Sequence, residues 1–233
     1  MKKILFGLLF MAPTMTAQER LIKYDIETRT CHRGLLFKLY DGERQRLLVP
    51  KYAEFLCQIR PAFYAESSLS YDSVNHELVF VEADTSIWSR VYGATHKHKY
   101  DKEQSKKMGM KVYKEVPLKK AKRYKAPKTR QWRLAVSDEL ANDLVLLIRR
   151  AVTTSGERDM RNAILDGCTW EYVIDGHHAQ TNKTPSPRLD GTSNVDRLIN
   201  LTLDLRDAIR SGDRISIEKL HPEINALNQL FSK

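Results

Sequence analysis

The sequence predicts an α+β fold, with antiparallel sheet packed against amphipathic helices in two lobes joined by a basic segment. Three observations carry this. Asp41-Gly42 and Asp175-Gly176 each lie between β-forming runs, and Asp-Gly supplies the positive φ angles of a tight hairpin turn. Two apolar stripes recur at helical spacing in the second half, Leu140-Leu144-Leu147-Ile148-Ala151 and Val195-Leu198-Ile199-Thr202-Leu205-Ile209. The order there, helix, strand pair, helix, helix, is that of an α+β layout.

The first lobe spans residues 18–93. Residues 21–26 suit a first strand. Residues 35–40 and 46–49 flank Asp41-Gly42 and read as a hairpin, with a helix as the rival. Pro50 fits a first helical position, and Tyr52, Phe55, Leu56 and Ile59 follow at helical spacing until Pro61. Leu69 and Tyr71 alternate with polar neighbours, residues 73–76 form a polar turn, and residues 78–81 return as a strand. Asp84-Thr85-Ser86 then caps a short helix carrying Ile87, Trp88 and Val91.

The second lobe, residues 131–233, opens on the alternating Trp132, Leu134 and Val136. Ser137 or Asp138 caps the first striped helix. Residues 168–174 are rich in β-formers and reach Asp175-Gly176, with a partner strand expected before Pro185 and Pro187. Thr192 or Ser193 starts the second striped helix, which Gly212 ends. A last helix from Pro222 carries Ile224, Leu227, Leu230 and Phe231.

Residues 1–17 have the layout of a cleavable secretory signal. Lys2 and Lys3 precede an apolar run over residues 4–11, Pro13 ends it, and Thr14, Thr16 and Ala17 supply small residues before Gln18. A membrane-spanning helix needs about 20 apolar residues, so this run is too short, and no later stretch is long enough. The expected product is a soluble protein, periplasmic or extracellular. In that oxidising setting Cys31, Cys57 and Cys168 allow one disulfide and one free thiol, and Cys31 with Cys57 is the first pairing to consider. Cys168, in an apolar stretch, reads as a small buried hydrophobe.

Charge is the most informative property. The chain of 233 residues carries a formal +10, yet residues 96–133 alone hold fifteen Lys or Arg against Asp101, Glu103 and Glu115. The basicity is therefore local, and the rest of the processed chain is mildly acidic. Lys-rich composition with Gly109, Pro117 and Pro127 predicts an exposed loop or a long, twisted hairpin over residues 94–130, with Val112 and Val116 permitting a short strand. Lys119, Lys120, Lys122, Arg123, Lys125, Lys128 and Arg130 are the candidate anion-binding residues. Export favours anionic lipid, lipopolysaccharide or another acidic polymer as partner over nucleic acid. The competing readings are a solvated linker, or a loop packed on the protein's own acidic side.

Catalytic signatures are absent from the sequence. There is no Gly-x-Ser-x-Gly, no Gly-rich phosphate loop and no His-Glu-x-x-His, so neither a cofactor nor a metal is expected. His96 and His98 would share one strand face, but Lys97 and Lys99 repel a cation; His177-His178 follow a turn. Ser155 or Cys168 with His177 and Asp175, and Ser67, Ser68 and Ser186, are nucleophile candidates without a motif. The reading carried forward is a non-catalytic binding or envelope-accessory module, with an exported hydrolase of scattered site residues as the alternative.

Overall fold

The computed structural model describes residues 21–23, 34–62, 64–156, 167–183 and 189–232. The expected leader, Cys31, Pro185, Ser186 and Pro187 lie outside these residues.

The frame is a seven-stranded sheet built from β1 (Ile22–Lys23), β2 (Ala53–Pro61), β3 (Ser67–Asp72), β4 (Glu77–Ala83), β7 (Thr129–Ala135), β8 (Cys168–Ile174) and β9 (His177–Lys183). Its order is β1-β9-β8-β2-β3-β4-β7, and every neighbouring pair is antiparallel. The α+β expectation with an antiparallel sheet is met. The two expected lobes, however, share this one sheet. The β2-β3-β4 meander leaves two open edges of unpaired backbone groups, and strands from the second half fill both, β8 beside β2 and β7 beside β4.

One sheet face carries the main core. Phe55, Cys57, Ile59, Leu69, Tyr71, Leu78, Phe80, Trp170, Tyr172 and Ile174 point to that side. They meet α4 (Asp138–Thr153), α5 (Asn194–Ser211) and α7 (His221–Leu230), with the short α6 (Arg214–Glu218) between the last two. The apolar stripes of α4 and α5 are buried as their spacing predicts. Ser137 and Ser193 cap these helices by accepting from the amides of Leu140 and Asp196, and Gly212 closes α5 at φ 70°. Asp175 and Gly176 take φ 51° and 76° in the β8-β9 turn, the two positive angles that Asp-Gly was expected to supply.

Two expectations fail on the opposite face. Residues 35–49 do not form a hairpin: α1 (Leu35–Leu48) runs through Asp41-Gly42. Its buried stripe is Tyr40, Arg44 and Leu48, so a charged residue sits where the apolar repeat would reveal the helix. Residues 52–59 are not a helix: Tyr52 lies in a turn, and β2, the central strand, begins at Ala53. Its residues 55–59 are all buried because both sheet faces are covered, and a strand covered on both faces loses its alternation. The helix capped by Ser86 is present as α2 (Ile87–Thr95). α1 and α2 bury Tyr40, Leu48, Val79, Val81, Ala83, Ile87 and Val91 between them and the sheet.

Between β4 and β7 the chain leaves the sheet. α2 leads into β5 (His96–Tyr100), α3 (Lys102–Met108) and β6 (Tyr113–Pro117), and β5 and β6 pair as a separate two-stranded sheet. Of the two alternatives that the basic composition allowed, residues 96–117 take the hairpin, with α3 at its tip, and residues 118–128 carry no helix or strand.

Candidate functional site

The β5-α3-β6 hairpin forms an arm that is held at its base by aromatic contacts. Phe37 and Tyr40 of α1 lie 5.5 and 5.1 Å from Trp88, Trp88 lies 6.2 Å from Tyr92, and Tyr92 stacks on His96 at 4.3 Å. Tyr92 also donates its hydroxyl to Glu115 of β6. Beneath this ladder, Glu66 is 1% exposed and accepts from the amides of Ile87 (2.6 Å) and Trp88 (2.9 Å). A carboxylate there complements the partial positive charge of the α2 N-terminus and fixes the helix that carries the arm.

After β6 the chain returns as an extended strap. The amides of Leu118 and Lys122 donate to the carbonyls of Thr95 and Ala94 at 2.7 and 2.8 Å, satisfying acceptors that the end of α2 leaves open. Tyr124 packs against the cluster beneath α1 and α2, and Pro127 is buried. Asp84 and Lys128 exchange two bonds, 2.8 Å between backbones and 3.1 Å to the Asp84 carboxylate. Leu118, Tyr124 and Pro127 therefore turn inward, while Lys119, Lys120, Lys122, Arg123, Lys125, Lys128 and Arg130 are all exposed. None of these seven forms an ion pair with a described carboxylate. The nearby pairs belong to Arg133, with Asp72 (3.2 Å) and Glu77 (2.9 Å), and to Lys114 with Asp101 (3.4 Å). Had the segment packed on an acidic face of its own, these seven would be paired.

A second charged group, invisible in the sequence, lies buried under α1. Gln180, Glu171, Gln58 and Ser68 occupy one row across β9, β8, β2 and β3. Glu171 sits 3.4 Å from Arg44, 3.1 Å from Arg60 and 3.2 Å from His178 Nδ1. Arg44 also reaches Asp41 at 3.0 Å, donates to Gln58 and lies over the Tyr40 ring. Burial alone raises the Glu171 pKa. The hydrogen bond with His178 and the charges of Arg60, Arg44 and His178 outweigh it and hold the carboxyl at about 2. An acid so strong stays ionised at neutral pH and cannot serve as a proton donor, so the group works as a clamp between α1 and the sheet.

The chain matches no family model, no curated protein and no solved structure to significance. Function therefore rests on residues and geometry.

Among the described residues no hydrogen bond joins Ser155 or Cys168 to His177 or Asp175. Asp175 is bonded to Arg149 at 2.9 Å, His177 is exposed at its turn, and Cys168 is buried with its thiol raised to about 12 by desolvation. Ser68 donates to the Leu48 carbonyl, and Ser67 is buried at the start of β3. A groove of about 340 Å³ between the end of α1, the β3-β4 turn and β7 is lined by Arg46, Lys51, Tyr52, Asp72, Gln131 and Arg133, away from His177 and Asp175. Of the suspected metal ligands, His96 bonds Thr95 at 3.0 Å beneath Tyr92, and His98 stands opposite Glu115. Cys57 is a buried free thiol, and the Cys31–Cys57 pairing considered first involves Cys31, which lies outside the described residues. Its side chain faces the main core, where burial drives its pKa well up.

Proposed function

We propose that the protein is an exported, non-catalytic binding or envelope-accessory module that meets an anionic surface through its basic strap. The observation that carries this reading is the contrast within the strap, a backbone bonded to α2 and Asp84 beneath seven outward cations without described ion-pair partners. A backbone already ordered loses less conformational entropy on binding than a free loop. Each cation near an anionic membrane contributes about 1 kcal/mol, so the seven together make a substantial attraction at low salt. The leader-like N-terminus supports export, and outside the cytoplasm the abundant polyanions are lipid headgroups, lipopolysaccharide and acidic polymers rather than chromosomal nucleic acid.

The test is co-sedimentation of the full chain with phosphatidylglycerol-containing vesicles from low to high salt. Exposed charges are screened over about 8 Å at physiological ionic strength, so binding falls steeply as salt rises. Lys119→Glu, Lys120→Glu, Lys122→Glu, Arg123→Glu and Lys125→Glu together abolish it. The melting temperature stays nearly unchanged, because solvated cations without partners add little to stability. Retained, salt-insensitive binding by the reversed variant refutes the strap as the contact.

A further inference from the structure

We infer that the tip of the β5-β6 arm is a lipid-inserting contact, and that the anionic surface met by the strap is a phospholipid bilayer. This rests on the reading of the strap above and adds a different set of residues.

Nine large apolar side chains are exposed among the described residues, and four of them, Tyr100, Met108, Met110 and Tyr113, fall within fourteen positions at the tip. Tyr100 and Tyr113 are cross-strand partners whose rings meet edge-on at 5.7 Å. Met108 and Met110 flank Gly109, which ends α3 at φ 65°, and both are about 60% exposed. This exposure belongs to a turn closed by its own hydrogen bonds. The Asp101 amide donates to the Val112 carbonyl at 2.9 Å, and Asp101 Oδ1 accepts from the Gln104 amide at 3.1 Å. The Val112 amide donates to Ser105 Oγ at 2.8 Å.

The surrounding charge selects the partner. Lys102, Lys106, Lys107 and Lys111 lie in this span and Lys97, Lys99 and Lys114 beside it, against Asp101 and Glu103 within it, and Asp101 is already engaged by Lys114 and the α3 cap. A partner must therefore offer negative charge and an apolar interior together. A bilayer does so at the boundary of headgroups and acyl chains, where Tyr rings sit and Lys stems reach back to phosphate. A soluble polyanion has no apolar interior, and a duplex nucleic acid keeps its bases stacked inside a charged sugar–phosphate exterior, which gives exposed methionines no extended apolar layer to enter. β6 has five residues, roughly 17 Å of extended chain, between the tip and the start of the strap. An arm lying along a planar surface brings both to it.

The experiment uses the full chain and phosphatidylcholine–phosphatidylglycerol vesicles with brominated acyl chains. Met110→Trp adds a tryptophan whose emission shifts to the blue and is quenched by the acyl bromines beyond the quenching of the unmodified chain. Met108→Ser with Met110→Ser, at exposed positions, leaves the melting temperature unchanged and weakens vesicle binding at least tenfold, while binding to soluble polyphosphate is unaltered. Vesicle binding without added quenching, and undiminished in the double Ser variant, overturns the tip as an inserting element and leaves the strap reading standing. Equal weakening toward vesicles and double-stranded DNA overturns the lipid assignment in favour of nucleic acid. Failure of the unmodified chain to bind either vesicles or polyphosphate overturns both readings.

Discussion

Replacing Glu171 by Gln removes the carboxylate that faces two guanidiniums whose side chains are only 9% and 14% exposed, Arg44 and Arg60. Breaking a buried pair by deleting one partner costs about 3–5 kcal/mol, because the remaining charge stays desolvated and uncompensated. Proton linkage yields a figure of similar size. A carboxyl held at about 2 in the folded state, against 4.5 in the free chain, contributes about 3 kcal/mol at neutral pH. Because the folded pKa is the lower one, this stability is fully present above about pH 5 and is lost as pH falls toward 2; about 2 kcal/mol of it is gone by pH 3. Urea unfolding of the native chain and of Glu171→Gln, each at pH 7 and pH 3, separates this group from other titrating carboxylates. The two chains differ by about 3 kcal/mol or more at pH 7, and the gap narrows by about 2 kcal/mol at pH 3. A gap below about 1 kcal/mol at pH 7, or one that does not change with pH, refutes the clamp.

Leu144 and Leu205 are 1% and 3% exposed in the middle of α4 and α5, so Leu→Ala at either lowers stability by about 2–5 kcal/mol in denaturant melts. Gly42 is an exposed residue inside α1, and a Cβ there meets nothing within 4 Å, so Gly42→Ala raises stability by about 0.5–1 kcal/mol. A loss instead would mean that this stretch is not helical. Mass spectrometry of exported protein finds its N-terminus between Ala17 and Glu19, and intact Met1 on such material refutes the leader.

The elements legible in the sequence are those specified by neighbours along the chain. The α4 and α5 stripes, the caps at Ser86, Ser137 and Ser193, and the Asp175-Gly176 turn are local chemistry, and each forms where its spacing places it. The surplus of cations over residues 96–133 is likewise a property of composition alone. β2 and α1 are not legible locally because their partners are remote. Tyr52, Phe55, Leu56 and Ile59 satisfy a helical period, yet the last three fill a strand buried on both faces, and only pairing with β3 and β8 decides between the two. In α1, Arg44 breaks the apolar stripe and becomes intelligible only beside Glu171, 127 residues further on. The same distance in sequence hides which cations are committed. Arg133 is tied to Asp72 and Glu77, whereas Lys119 through Arg130 face solvent, and composition counts them alike. Local periodicity and capping are short-range and can be read residue by residue. Strand pairing and ion pairing join positions that only the folded chain brings within a few ångströms, so the tertiary structure alone decided them.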